Sequence, residues 1–251
     1  MESKYFTVNK NGHSIKCKIY YNNIRSIDKL VLFGTGFAGH KDNKASERFA
    51  ETLLSKQKKA AVLTFNWPCH GDDVKKKMSL ADCDEYITLV LDYIRDELNV
   101  SNIYGYATSF GGYMFLRYIE QNGNPFVKIA LRSPAINIYE SIISSIMKRG
   151  DMELLEKGKD VAIGFDNKVN VTKQFIEDLK NYYIREKDFI DFADDILIIQ
   201  GTKDEIIPCE VVFDFAENNV IEYIKVENAN HRFQDYAQMG NAIRDIIEFF
   251  G

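Results

Sequence analysis

Five short runs of apolar residues constrain the fold of this chain more than any other feature of its sequence. They occupy residues 30–33, 60–65, 103–106, 127–131 and 196–200. A short apolar run that lacks the alternation of a half-exposed strand is typical of a strand covered on both faces. Because such strands belong to parallel sheets, the sequence predicts a parallel sheet with helices on both of its sides.

Helical patterns fill the intervals between these runs. Apolar residues recur at helical spacing in residues 49–54, 87–98, 212–216 and 242–250. Ahead of the first run, two alternating segments flank Asn11 and Gly12, a pair that favours a tight antiparallel hairpin. With a further strand near residues 220–226, we expect an α/β fold of about eight strands, mostly parallel, with an N-terminal antiparallel hairpin.

The interval between the fourth and fifth runs is too long for a simple crossover between strands. Its apolar spacing predicts one amphipathic helix over residues 138–147 and another over residues 175–183, the second capped by Thr172. Residues 161–171 between them have the pattern of a small hairpin. We therefore predict a single domain, residues 1–251, in which residues 134–190 form an inserted cap, or lid, at the sheet's carboxyl edge.

The composition excludes several classes of function. The 251 residues carry a net charge of −5, so no broad positive field is available for nucleic acid or an anionic membrane. No apolar run approaches the roughly 18 residues that a membrane helix needs, and the first residues lack the apolar segment of a signal peptide. We expect a cytoplasmic protein without a nucleic-acid or membrane partner, and nothing in the sequence indicates its oligomeric state.

Cysteine and histidine spacing gives no sign of a disulfide framework or a metal site. The four cysteines are far apart and show no C-x-x-C pair, which fits reduced thiols in a cytoplasmic protein. The four histidines lack the spacing of metal ligands. We expect neither a metal nor a cofactor.

Ser109 follows the third run and precedes an amphipathic helix. A nucleophilic serine in this position must lie on a sharp turn, with small residues two before and two after it so that neighbouring backbone can pass close by. Ala107 and Gly111 meet this requirement. The strand-to-helix setting makes Ser109 the candidate nucleophile, although a small-x-Ser-x-small pattern by itself is common.

Asp204 and His231 are the candidate partners of Ser109. A serine hydroxyl becomes a nucleophile when a histidine takes its proton, and a carboxylate must orient that histidine. Asp204 lies just after the fifth run, and His231 follows the last predicted strand as the only histidine after Asp204. All three residues lie beyond the carboxyl ends of predicted parallel strands, the edge at which α/β folds assemble their sites. The order Ser, Asp, His along the chain predicts a catalytic triad.

At these positions the sequence resembles the α/β-hydrolase family, in particular its small intracellular esterases of the feruloyl or cinnamoyl esterase and monoacylglycerol lipase types. The resemblance implies that the stretch 34–42 supplies one backbone N–H of an oxyanion hole, from Phe37, and that Phe110 supplies the other. Residues 66–72 are similar to a degraded form of a loop of that family, in which we expect His70 to be structural. Thr35 stands where relatives carry histidine, which alters the rim of the pocket.

The resemblance implies a serine esterase that needs no cofactor and acts on a small-molecule ester through an acyl-enzyme. The apolar and aromatic residues of the insertion favour small to medium carboxylic esters, aromatic ones among them. The same three residues also serve amide, peptide and thioester hydrolysis, so those substrates stay open.

Two alternatives come from other classes of protein. Residues 34–39 match G-x-G-x-x-G, the dinucleotide fingerprint of nicotinamide-dependent oxidoreductases, but polar residues 40–44 separate the glycines from the next helix, and the next strand ends without a carboxylate. A binding protein without catalytic activity on the same scaffold is the second alternative. The presence of Ser109, Asp204 and His231 disfavours it.

Overall fold

The protein is built on one sheet of eight strands, which confirms the predicted strand number. A computed structural model describes all 251 residues. The strands of the sheet are β1 Glu2–Lys10, β2 His13–Tyr21, β3 Lys29–Gly34, β4 Ala60–Phe65, β5 Ile103–Thr108, β6 Ile129–Arg132, β9 Ile196–Gly201 and β10 Glu222–Val226. Their order across the sheet is β1-β2-β4-β3-β5-β6-β9-β10.

The N-terminal strands form the predicted antiparallel hairpin. Asn11 and Gly12 join β1 to β2 with positive φ angles of 52° and 76°, the conformation that tight hairpin turns require. The β2 strand then pairs antiparallel with β4, and every other pair in the sheet is parallel. The carboxyl ends of the parallel strands consequently lie along one edge.

Eight α-helices surround the sheet. They are α1 Lys44–Lys56, α2 Leu80–Asp96, α3 Phe110–Asn122, α4 Ile138–Ser141, α5 Asp151–Glu156, α6 Lys173–Asn181, α7 Cys209–Asn218 and α8 Tyr236–Phe250. Short polar side chains begin several of them: the Asn43 and Ser79 side chains accept hydrogen bonds from the first turns of α1 and α2. The predicted cap of α6 is confirmed, since the Thr172 hydroxyl accepts a hydrogen bond from the Phe175 N–H at 3.1 Å.

Burial on both faces explains the continuous apolar runs. Along β3, Leu30 and Leu32 join an apolar cluster of 56 buried residues, whereas Val31 and Phe33 join a second cluster of 21 on the opposite face. Helices α1 and α8 cover the smaller cluster, and α2, α3 and α7 cover the larger one. None of the eight helices combines the length and the hydrophobicity of a membrane-spanning segment.

The insertion between β6 and β9 folds as two helical parts around a hairpin. The predicted hairpin is present as β7 Val161–Ile163 paired with β8 Val169–Val171. The helix predicted over residues 138–147 is α4 followed by a π-helical turn at Ile142–Ile146. The pattern did not predict α5, whose six residues are too few to display helical spacing.

Candidate active site

Ser109 lies on the turn between β5 and α3 in a conformation that few non-glycine residues adopt. Its backbone has φ 51° and ψ −117°, and its N–H donates to the Arg132 carbonyl at 3.2 Å. A Cβ added at Gly111 would overlap the Gly34 carbonyl and lie 2.7 Å from the Thr35 oxygen. A small residue two positions after Ser109 is therefore required because β3 passes beside the first turn of α3.

Asp204 lies in the loop after β9, and its side chain is fully buried. Its Oδ1 atom accepts the backbone N–H groups of Ile206 and Ile207 at 2.9 and 2.8 Å, and its Oδ2 atom accepts the Gln200 amide at 2.9 Å. Burial by itself raises the pKa of Asp204, but the hydrogen bonds from His231 and from these backbone N–H groups outweigh it. The pKa of Asp204 therefore lies below its ordinary value, and the carboxylate is ionised at neutral pH.

His231 connects the other two predicted residues. Its Nδ1 atom lies 2.9 and 3.0 Å from the two carboxylate oxygens of Asp204, and its Nε2 atom lies 3.0 Å from Ser109 Oγ. Since a carboxylate only accepts, Nδ1–H donates to Asp204, and Nε2 is left to accept the proton of Ser109. The structure thus brings all three sequence-predicted residues into one hydrogen-bonded chain.

The main chain of His231 is held on both sides. Its N–H donates to the Glu205 carboxylate at 3.1 Å, and its carbonyl accepts from Arg132 Nη1 at 3.3 Å. Neither contact was predicted from the sequence. The available signal for Arg132 was a charged residue at the end of a buried apolar run, where ionised side chains are rare.

The loop after β3 runs directly beside Ser109. A Cβ added at Gly36 would lie 3.4 Å from the Ser109 Cβ, so glycine lets the two segments approach closely. The N–H of Phe37, in the same loop, donates to no acceptor within the protein. Phe110 is the first residue of α3, where a backbone N–H has no partner inside its own helix. Two backbone donors are thus available for a ligand atom beside Ser109.

His70 supports this loop through a hydrogen bond to Ala38. Its Nε2 atom accepts the Ala38 N–H at 2.9 Å, and its Nδ1 atom donates to the Pro68 carbonyl at 2.8 Å. Ala38 itself has a positive φ of 58°, a conformation that needs support. Complete burial lowers the pKa of His70 to about 4, so the ring is neutral and can accept at physiological pH. These contacts match the structural role expected for His70.

Aromatic rings surround the same loop. Phe37 packs against Phe110 and Phe175, with ring centroids 5.8 and 6.5 Å apart, and Trp67 packs against Phe110 at 5.7 Å. The Trp67 indole also donates to the Thr35 carbonyl at 2.8 Å. The wall beside Ser109 is therefore apolar and aromatic.

The insertion contacts both loops that flank Ser109. The Asn167 amide at the tip of the β7–β8 hairpin donates to the Ala38 carbonyl at 3.2 Å, and Asp166 pairs with Arg232, next to His231, at 3.1 Å.

A surface concavity of about 570 Å³ near Ala193 and Glu222 lies at the opposite end of β9 and contains none of the predicted site residues.

Comparisons with known proteins give the fold its name. No protein-family model and no curated protein sequence matches the chain. Among solved structures, Est1E from Butyrivibrio proteoclasticus with ferulic acid bound is similar at 16% identity over 97% of both chains, with a TM-score of 0.74. Alpha/beta hydrolase domain-containing protein 10 from mouse is similar at 13% identity over 98% of this chain and 97% of the mouse chain, with a TM-score of 0.71. The chain has the α/β-hydrolase fold.

A third structural neighbour is a monoacylglycerol lipase from Paleococcus ferrophilus, with 16% identity, 94% of this chain and 98% of that chain covered, and a TM-score of 0.69. The fold class predicted from the sequence is thereby confirmed. The strand-to-helix turn after β5, the loop after β9 and the loop after β10 lie at one edge of the sheet, because these strands are parallel. Ser109, Asp204 and His231 occupy these three places.

Proposed function

We propose that this protein is a serine hydrolase that cleaves carboxylic esters through an acyl-enzyme. The observation that carries the proposal is the continuous hydrogen-bonded chain from Asp204 through His231 to Ser109. A buried carboxylate, an imidazole with a fixed tautomer and a hydroxyl on a strained turn are the three parts that activate a serine.

In the first step Ser109 Oγ attacks the ester carbonyl carbon while His231 Nε2 takes the hydroxyl proton. Asp204 stabilises the imidazolium that forms, and the N–H groups of Phe37 and Phe110 donate to the oxyanion. The bond between the carbonyl carbon and the alcohol oxygen then breaks. The alcohol leaves with the proton from His231, and the acyl group stays on Ser109.

In the second step water replaces the alcohol. His231 takes a proton from the water as its oxygen attacks the acyl carbon, and the same two N–H groups stabilise the second oxyanion. The acid leaves when the bond to Ser109 Oγ breaks and His231 returns the proton to the serine. Every group that the reaction requires is a residue of this chain or water.

Small to medium carboxylic esters, including aromatic ones, are the proposed substrates. Support comes from the aromatic wall of Phe37, Phe110 and Phe175, and from the ferulic acid bound in Est1E. We assign residues 134–190 the role of a cap over this site within a single-domain protein. The support is that the tip of the β7–β8 hairpin contacts Ala38 in the loop after β3. A cytoplasmic location belongs to the same proposal, since all four cysteines are free thiols.

Turnover of p-nitrophenyl esters graded in acyl length and aromaticity tests the proposal. We expect wild type to hydrolyse at least one of them and Ser109→Ala to lose this activity. Ser133→Ala is the matched control, because Ser133 follows the neighbouring strand with a φ of 49° and its hydroxyl has no partner. Equal rates for wild type and Ser109→Ala would instead favour a binding protein.

A second pair of variants tests the assignment of the carboxylate. Asp204→Asn should lower kcat by about 10⁴-fold while the protein stays folded, because the amide cannot hold the required tautomer of His231. Glu205→Gln changes the adjacent carboxylate, which contacts only the main chain of His231, and should retain activity within about tenfold. The reverse order of these two effects would identify Glu205 as the acid.

A further inference from the structure

Arg132, the last residue of β6, is a buried cation without an acidic partner. Its side chain lies in the interior, as the residue is only 5% exposed, and no carboxylate lies within ion-pair distance of it. The other two buried cations differ in this respect. Lys18 pairs with Asp42 at 3.0 Å, and Lys41 pairs with Asp72 at 2.7 Å.

An unpaired buried cation is costly, and arginine cannot escape the cost by losing its proton. Such a residue persists where specific contacts offset the loss of hydration. The guanidinium of Arg132 has three: Nε donates to the Tyr106 hydroxyl at 3.2 Å, Nη1 donates to the His231 carbonyl at 3.3 Å, and the group lies 5.0 Å from the centre of the Phe233 ring. Two of these three contacts belong to the loop that carries His231.

The backbone of Arg132 meets the other side of the site. Its carbonyl accepts the Ser109 N–H at 3.2 Å. Arg132 is thus the one residue that forms hydrogen bonds to the main chain of both Ser109 and His231. A single residue at the carboxyl end of β6 therefore connects the turn of the proposed nucleophile to the loop of the proposed base.

We propose that Arg132 is a positioning residue that holds the His231 loop at hydrogen-bond distance from Ser109. The proposal rests on the serine hydrolase function proposed above. Arg132 bonds to His231 through the main-chain carbonyl and forms no hydrogen bond to Phe37 or Phe110, so we expect its loss to change the geometry of the triad and not the binding of substrate. A displacement of the imidazole by about 1 Å is sufficient to lower turnover about 10²-fold.

Kinetic constants of Arg132→Met and Arg132→Lys test this role. Methionine keeps much of the side-chain volume but removes the charge and both donors, so we expect kcat to fall roughly 10- to 100-fold with KM within about twofold. Lysine keeps the charge and a donor nitrogen, so it should retain more of the activity. A folded Arg132→Met protein with wild-type kcat would overturn the proposal; if that variant does not fold, an Arg132→Lys protein whose KM rises while its kcat stays at the wild-type value would do the same.

Lys128→Met is the matched control. Lys128 is the residue immediately before β6, whereas Arg132 is the last residue of that strand. Lys128 also donates to a main-chain carbonyl, that of Phe249 at 2.9 Å, and also lies over an aromatic ring, at 4.5 Å from its centre. It is remote from Ser109 and His231, so its loss should lower stability with kcat unchanged. An equal fall of kcat in Lys128→Met and Arg132→Met would mean that Arg132 acts only through general stability.

A spectroscopic readout separates this proposal from the proposed function. The proton between His231 Nδ1 and Asp204 gives a low-field proton resonance, which is identified by its absence in His231→Gln. We expect Arg132→Met to shift or broaden that resonance, and Lys128→Met to leave it in place. If wild type cleaves no ester, the proposed function fails, yet the resonance still decides the role of Arg132. A resonance unchanged in Arg132→Met would overturn it.

Discussion

At the scale of single residues, two buried histidines beside Ser109 have different surroundings. His231 donates to a carboxylate, a partner that stabilises the imidazolium formed during the proposed reaction. His70 forms hydrogen bonds only with a carbonyl and a backbone N–H, and the second of these exists only while Nε2 is unprotonated. The loop after β3 therefore has its native hydrogen bond at Ala38 only while the His70 ring is neutral.

The pKa of His70 predicts how stability depends on pH. In the folded protein burial lowers this pKa to about 4, against 6.5 for the ordinary side chain. Above pH 6.5 both states are neutral, and between pH 6.5 and 4 only the unfolded chain takes up the proton, so stability falls as the pH falls. The loss amounts to about 3 kcal/mol by pH 4, with little further loss below it.

Urea denaturation of wild type and His70→Gln at several pH values between 7.5 and 4 measures this contribution. The variant lacks the titrating ring, so its unfolding free energy should fall by about 3 kcal/mol less than that of wild type over this range. Parallel pH dependences in the two proteins would show that the ring of His70 titrates alike in the folded and unfolded states.

Much of the site follows from residue patterns, and the rest depends on contacts between distant segments. Ser109, Asp204 and His231 were predictable as neighbours because each follows a recognisable strand, and their catalytic role stays a prediction. Arg132 was not, because its role depends on a contact to residue 231 across the sheet that no local pattern encodes. The hydrogen bond from Gln200 to Asp204 joins residues only four positions apart, yet it forms only because the Gln200 side chain at the end of β9 points toward Asp204.

At the scale of elements, two glycines in its first turn determine where helix α3 lies. Gly111 faces the carbonyl groups of Gly34 and Thr35, and Gly112 faces Pro134. The helix can therefore begin directly under the end of β3, which brings the Phe110 N–H close to the loop that contains Phe37. Packing at this point determines where both proposed oxyanion donors lie.

Alanine substitution at two helical glycines tests the importance of that approach. Gly111→Ala should destabilise the protein by more than about 2 kcal/mol, because backbone atoms on β3 have to move to admit the methyl group. Gly240→Ala in α8 is the control: its nearest neighbour is the flexible end of Arg48 at 3.1 Å, so the better helix propensity of alanine should stabilise by up to about 1 kcal/mol. Thermal unfolding of both variants provides the comparison, and equal effects would contradict close packing of α3 on β3.

Elements with strong periodicity were predictable, and short or irregular ones were not. Strands β3, β4, β5 and β9 are buried along nearly their whole length, which produces continuous apolar runs. The π-helical turn at Ile142–Ile146 shares its apolar spacing with an α-helix closely enough that sequence alone does not distinguish the two. The order of strands across the sheet also depends on long-range pairing and not on local sequence.

At the scale of the whole molecule, the insertion shares its core with the sheet. Val161, Val171, Phe175 and Ile184 all belong to the larger apolar cluster, together with residues of β3, α2 and α3. A segment that buries its apolar residues against the sheet and its helices has no separate core of its own. Its folding therefore depends on the folding of the sheet.

This shared core predicts a single unfolding transition. Trp67 is the only tryptophan and is fully buried next to Phe110, so its fluorescence reports on the site, while far-ultraviolet circular dichroism reports on all helices. Both signals should give the same midpoint in urea, as a two-state domain requires. Separate midpoints would show that the insertion or the terminal hairpin unfolds by itself, and would contradict the single-domain prediction.

The backbone of Ser109 has a consequence for how the protein would respond to selection. With φ 51° and ψ −117°, the residue occupies a region that glycine enters freely and that is unfavourable for a serine by about 1–3 kcal/mol. Exchange of this serine for glycine would relax the main chain and remove the proposed nucleophile in one step. Laboratory evolution for heat resistance alone would thus favour an inert descendant, and only a simultaneous demand for turnover would preserve the hydroxyl.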